Sequence, residues 1–457
     1  LTCSVFEAED TGTRDQTLHG IERLSRRSRR SEVEVARHLL ALIHARAEGG
    51  RVEAGAGHWL RGAGYPALAS ALQLKPDWRI ALRPLARHLT WPAYLGTLLA
   101  GTVGLVTWML VHQTPAQGML MVKGLGAIAA ALMAFGASEA VVTVINRLSS
   151  EWARPQHLPR LSFALGVPAE HRVMVTIPGM LTSAQTASEL AHRLHLHYLA
   201  NPEPQAQFAL LTDWCDADAI TLATDDALLQ VAADAVQSLN ERHPPEQTGA
   251  PARFLILHRA RSFSDSEGRW IGWERKRGKL ELLVAALAGA GANAFLDLGP
   301  LSSIAPDTKY LLTLDSDTQL PPGRLRELVG VAAHPDNQPC LDATGRQVVS
   351  GYGILQPRVA TPLPAKDEFT LYHWLFAGQC GIDPYSAASS EIYQDLFHEG
   401  TFTGKGLLNI QAVHAVLGAR LPDGQVLSHD LLEGSLARCA TVSGITLIED
   451  APFYADV

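Results

Sequence analysis

Little in this sequence marks a secreted or disulfide-stapled protein. Its five cysteines (Cys3, Cys215, Cys340, Cys380 and Cys439) are scattered over 457 residues, with no C-x-x-C pair. An odd, dispersed set supports neither a disulfide framework nor a zinc ribbon, and fits a reducing compartment. Positive charge is in deficit: the formal net charge of −8 argues against a general nucleic-acid binder. No basic, apolar and cleavage-site series follows Leu1. Leu1 in place of Met, and the abrupt end at Phe453-Tyr454-Ala455-Asp456-Val457, are expected of a segment of a longer chain. Internal repeats and low-complexity tracts are absent as well.

Charge is missing altogether from Trp91 to Val111. About 20 apolar residues cross a bilayer as a helix, so this stretch predicts a span, with Trp91, Tyr94 and Trp108 as interfacial anchors. A second apolar stretch runs from about Gly124 to Ile145 and contains Glu139, which is costly in lipid unless it faces a partner helix or the interface. A pair of buried core helices is the alternative. Arg79, Arg83 and Arg87 precede the pair, Arg147, Arg154 and Arg160 follow it, and Lys123 alone lies between. The positive-inside tendency therefore predicts one hairpin with both flanks cytoplasmic.

The rest is globular in composition, and a chain this long requires two or three structural units. Residues 1–88 read as an N-terminal helical region, 89–146 as the hairpin and 147–457 as a catalytic α/β domain. In the first, Ile21, Leu24, Val33, Val35, Leu39, Leu40 and Ile43 recur at helical intervals. Arg26, Arg27, Arg29 and Arg30 suit a solvated face or, more sharply, a contact with anionic headgroups.

Beyond residue 165 strands and helices alternate. Strands are predicted at 172–178 (ended by Pro178 and Gly179), 208–212, 253–257 and 310–314, with helices through Leu190 and Leu194, over 227–239 and over 279–287. Such alternation predicts a mostly parallel sheet covered on both faces, with ligands beyond the carboxyl ends of its strands.

Strand ends are therefore where chemistry is sought. Asp315-Ser316-Asp317 sets two hard-oxygen ligands after an apolar strand, a pattern suited to Mg²⁺ or Mn²⁺ and equally to helix capping. Asp213 ends an earlier strand, either as a nucleotide contact or as a loop acid. Trp273-Glu274-Arg275-Lys276-Arg277-Gly278-Lys279 is a cationic helix start, a diphosphate seat or a solvated turn. Phe402-Thr403-Gly404-Lys405-Gly406 lacks Walker spacing but permits close backbone approach to a sugar or phosphate. Ser428-His429-Asp430 can open a helix with Asp430 as general base, or simply cap it. His192, His195 and His197 have no carboxylate partner at a ligand spacing and are expected to be solvated.

Taken together, these segments resemble the cyclic β-1,2-glucan synthases, family 84 glycosyltransferases. The likeness rests on Gly272–Glu281, Thr313–Thr318, Gly353–Val359, Gly381-Ile382-Asp383-Pro384-Tyr385, Tyr393–Phe397, Phe402–Gly406 and Leu427–Gly434 in that order. The resemblance implies a GT-A type nucleotide-diphospho-sugar transferase fold in a multi-span inner-membrane protein, with UDP-glucose as donor and a divalent metal. It implies a glucan started on the enzyme itself, lengthened, and closed into a ring. By position it assigns the metal and UDP pair to Asp315 and Asp317, nucleotide-sugar contacts to Asp213 and Lys279, and the catalytic base to Asp430. Gly404, Lys405, Gly406, His429 and Glu433 fall in the acceptor and loop segments, and Tyr385 is a candidate for self-glucosylation. The Gln-x-x-Arg-Trp segment of related synthases does not occur before Val457, nor does the family's C-terminal phosphorylase-like domain. Expected partners are therefore UDP-glucose, the growing glucan, the lipid bilayer and the remaining spans and domain, with no nucleic acid. A linear-glucan synthase and a non-catalytic membrane glycan-binding scaffold are the competing readings.

Overall fold

The computed structural model describes residues 3–46, 55–74, 83–112, 126–152, 157–245, 249–290, 294–362, 370, 394, 399–426 and 429–449. The chain divides into two units: 1–74, 157–382 and 399–457 form one, 75–156 and 383–398 the other.

The larger unit is built on a seven-stranded sheet. Its strands are β1 (Val173–Leu181), β2 (Ala206–Trp214), β3 (Phe254–Arg259), β4 (Tyr310–Thr313), β5 (Ile354–Ala360), β6 (Gly406–Asn409) and β7 (Cys439–Ile448), in the order β7-β5-β6-β4-β1-β2-β3. All neighbours are parallel except the two pairings of β6. The strands are apolar on both faces, as a sheet covered on both sides requires. Val173, Val175, Phe208, Leu210 and Leu312 enter one core, with Leu190, Val236 and Leu328 from helices. Met174, Ala209, Leu211, Leu255 and Leu311 enter the other, with Leu283 and Val413 from helices on the opposite face. The α/β class and the mostly parallel sheet anticipated from the sequence are what the chain adopts.

One boundary needs correction. β1 does not stop at Pro178 but runs to Leu181. Its ladder with β4 ends at Thr176, while pairing with β2 continues to Leu181. Past Thr176 β1 is laddered on one side only, where a proline without an N–H is tolerated.

The N-terminal helices α1 (Thr11–Ser28) and α2 (Glu32–Arg46) pack Leu24, Val35, Leu39 and Ile43 around Trp59 and Leu68. Asp10 caps α1 by accepting from the Thr13 amide at 2.9 Å and also pairs with Arg160 at 2.8 Å. In the basic run, Arg26 bonds Glu22 at 2.5 Å and Arg27 donates to the Tyr65 hydroxyl at 3.0 Å.

The second unit contains α3 (Arg83–Val111) and α4 (Gly126–Trp152). The Tyr94 hydroxyl donates to Asn146 Oδ1 at 3.1 Å. A Cβ on Gly101 would lie 2.8 Å from a Val141 methyl, so the helices approach closely there. Leu99, Leu132 and Phe135 are exposed. Leu89–Val111 and Ala130–Ser149 are long and apolar enough to cross a membrane.

Candidate active site

Topology brings distant segments to one edge. β4 runs toward Asp315. Because β6 is antiparallel to it, with Gly406 opposite Thr313, the start of β6 lies beside the end of β4. Gly404 and Lys405 are thereby placed next to Asp315. β7 ends at the same edge: Gln319 and Ile448 exchange backbone hydrogen bonds of 2.8 and 3.1 Å, which puts Glu449 there. The helix before β7, Asp430–Ala437, leads into the opposite end of that strand, so its first residue returns to the edge.

Asp315 is held on three sides. Its amide donates to the Thr318 hydroxyl at 3.2 Å. Lys276 Nζ bonds Oδ1 and also donates to the Gly404 carbonyl at 3.2 Å. Lys405 Nζ lies 3.3 Å from Oδ2 and 2.7 Å from Glu449. Burial works against the Lys405 ammonium, but Glu449 and Asp315 outweigh it and hold its pKa above the ordinary lysine value. Thr318 donates to the other oxygen of Glu449. Asp317 is exposed. Oxygens of Asp315, Asp317 and Glu449 lie within 4.8 Å of one another, a hard donor set that suits Mg²⁺ or Mn²⁺.

Asp430 faces this cluster. A Cβ on Gly404 (φ +82°) would lie 3.2 Å from both Asp430 oxygens and 3.3 Å from Lys276 Nζ. Burial raises the Asp430 pKa; His429 and Lys276 oppose the shift, while Glu433 and Asp315 add to it. His429 Nδ1 lies 3.0 Å from Glu433 and 3.3 Å from Asp430. The hydrogen bond to Glu433 lifts the His429 pKa. A carboxylate of raised basicity beside a cationic, metal-competent pocket can accept a proton from a hydroxyl.

The structure thus brings together Asp315, Asp317, Gly404, Lys405, Gly406, His429, Asp430 and Glu433. Asp213 and Lys279 are instead buried and paired with each other at 2.9 Å. Arg259 binds both oxygens of Asp213, at 2.6 and 2.9 Å, and Lys279 also donates to the Gly179 carbonyl at 2.7 Å. Burial lowers the Lys279 pKa despite Asp213. A nucleotide would reach either side chain only by displacing its partners. Tyr385 and Ser428 lie outside the described residues.

Glu449 had no signal in the sequence, since it follows a strand that local text did not reveal. Lys276 stands inside the basic motif, and only the helix phase decides that it, rather than Lys279, meets Asp315. The expectation of solvated histidines holds for His192, which is exposed, and is corrected for His195 and His197. His197 faces the core, and burial pushes its pKa down to about 4. His195 Nε2 meets His243 Nε2 at 2.8 Å.

The cyclic beta-(1,2)-glucan synthase NdvB of Rhizobium meliloti (strain 1021) is 36% identical over 459 residues, covering 99% of this chain. The chain is a homologue of one segment of that synthase. It spans 16% of that relative's length. No family model matches the chain. Among solved structures, a galactosyltransferase, LgtC, crystallised with donor and acceptor sugar analogues, aligns at 13% identity over 59% of this chain and 72% of its own, with a TM-score of 0.23.

Proposed function

We propose that this chain carries the sugar-transfer site of a membrane glucan synthase, one that adds glucose from UDP-glucose to a growing β-1,2-glucan with inversion. The observation that carries this reading is the meeting of Asp315, Lys276, Gly404 and Asp430 at one sheet edge. The relationship to NdvB supports the choice of product.

In this reading Asp430 takes the proton from the acceptor's 2-hydroxyl. The acceptor oxygen bonds the anomeric carbon as the bond to the UDP oxygen breaks, and the electron pair leaves with UDP. A single in-line displacement turns an α-linked donor into a β-linked product. Asp315 and Asp317 would hold Mg²⁺ or Mn²⁺, which supplies charge stabilisation to a diphosphate. Lys276 and Lys405 add fixed positive charge beside the departing group, and such preorganised charge supplies much of the rate. Asp213 and Lys279 would meet the nucleotide if it displaces their present partners. Tyr385 is proposed as the priming nucleophile for a protein-linked glucan. The two apolar helices would span the bacterial inner membrane, with arginine-rich flanks and the sheet on the cytoplasmic side, where nucleotide sugars are.

Titration calorimetry with UDP-glucose and Mg²⁺, followed by linkage analysis of the product, tests the proposal. Metal-dependent heat and β-1,2 linkages are expected. Another linkage would favour a linear or different glycan, and no metal-dependent heat would favour a non-catalytic scaffold.

A further inference from the structure

The basic motif at 273–281 divides its labour. Its helix, Arg275–Leu287, starts from two residues in the left-handed region, Glu274 and Arg275, both at φ 48°. Non-glycine residues adopt that conformation at a cost, and such strain gathers at functional sites. The turn folds the Trp273 carbonyl over Gly278, where a Cβ would lie 2.0 Å from that oxygen. Arg259, anchored on Asp213, pins the turn by donating to the carbonyls of Trp273 and Arg275 at 2.9 and 3.1 Å.

What the turn presents is a row of alternating charge. Glu274 accepts from the Gly424 amide. One helical face further along, Glu281 accepts from the Ala419 amide at 3.0 Å. Between them the buried Arg277 pairs with Glu274 and Glu281, each at 3.0 Å, and with Asp423 at 3.6 Å. Both amides belong to the loop that leads from β6 and its helix to His429 and Asp430. Lys276, on the first turn of the same helix, holds Asp315 and the Gly404 carbonyl. One helix thus references both the metal-competent edge and the loop that delivers the carboxylate.

We propose that Glu274, Arg277 and Glu281 are positioning residues, a charge-alternating brace on the 419–424 loop that fixes the reach of Asp430 toward the acceptor hydroxyl. The proposal rests on the reading of Asp430 as base. Misplacing a reacting group by about 1 Å costs on the order of a hundredfold in rate. The brace therefore acts on turnover and leaves donor affinity alone.

The test measures amide exchange in the full chain and steady-state kinetics of Glu281→Ala and Glu281→Gln. In the unaltered chain the Ala419 and Gly424 amides should be protected; fast exchange at both would overturn the brace outright. Glu281→Ala should lower kcat at least tenfold with UDP affinity within twofold, and Ala419 should exchange faster while the sheet amides do not. Glu281→Gln keeps an oxygen for the Ala419 amide but loses the ion pair with Arg277, and should restore only part of the loss in kcat while returning the Ala419 exchange rate toward that of the unaltered chain. A Glu281→Ala enzyme with unchanged kcat, or one that loses UDP affinity in step with turnover, defeats the proposal. If instead Asp430→Asn remains active, the base assignment itself is wrong, which separates the two failures.

Discussion

Lys276 bonds Asp315 with the same ammonium that donates to the Gly404 carbonyl at 3.2 Å. One cation therefore ties the metal-competent aspartate to the glycine loop that Asp430 faces. Lys276→Met should release Asp315 and remove charge facing the diphosphate. UDP affinity in the presence of Mg²⁺ should fall about tenfold, a change of about 1.4 kcal/mol. Calorimetry reads the change directly, and unchanged affinity would remove Lys276 from the site.

A side chain at Gly404 would press on Asp430 and Lys276. At φ +82°, with a prospective Cβ 3.2 Å from both Asp430 oxygens, Gly404→Ala strains the backbone and crowds the carboxylate. Stability should drop by roughly 1 kcal/mol. Turnover should fall more than tenfold. A thermal melt and a rate measurement on the same sample separate the two effects.

Asp213 carries buried charge rather than an open contact. Asp213→Ala leaves Arg259 and Lys279 without their counter-charge inside the fold. Removing one partner of a buried pair costs about 3–5 kcal/mol. The denaturant midpoint should move accordingly, and a shift of a few tenths of a kcal/mol would show that the hub is solvated.

The pH profile should report Asp430. Its folded pKa is raised, chiefly by burial. The base is therefore lost as pH falls through a value above the ordinary aspartate figure of about 3.9. His429 opposes that rise, so His429→Gln should move the acidic limb of kcat/KM to higher pH. A limb that stays where it was would mean that another group controls it.

Much of this was legible in the text of the chain, for identifiable reasons. β1 to β4 are short apolar runs bounded by Pro, Asp or Gly, and a strand buried on both faces shows itself that way. β5, β6 and β7 did not stand out. β5 contains Gln356, Pro357 and Arg358, β6 opens on Gly406 and closes on the polar Asn409, and β7 is interrupted by Ser443 and Gly444. Their pairing depends on long-range register, which local periodicity does not encode. Asp315, Asp317 and Asp430 were legible as strand-end and helix-start acids. Glu449 was not, because the strand that delivers it was hidden. Helix phase, invisible in composition, decided that Lys276 turns to Asp315 while Lys279 turns to Asp213.

The central claim is that Asp430 removes the acceptor proton without helping to hold the donor. The most direct measurement compares glucose transfer and UDP affinity in Asp430→Asn, an isosteric change that removes the base. Transfer should fall by at least a thousandfold while UDP affinity stays within twofold. Transfer within tenfold of the parent, or a collapse of UDP binding, would contradict the account.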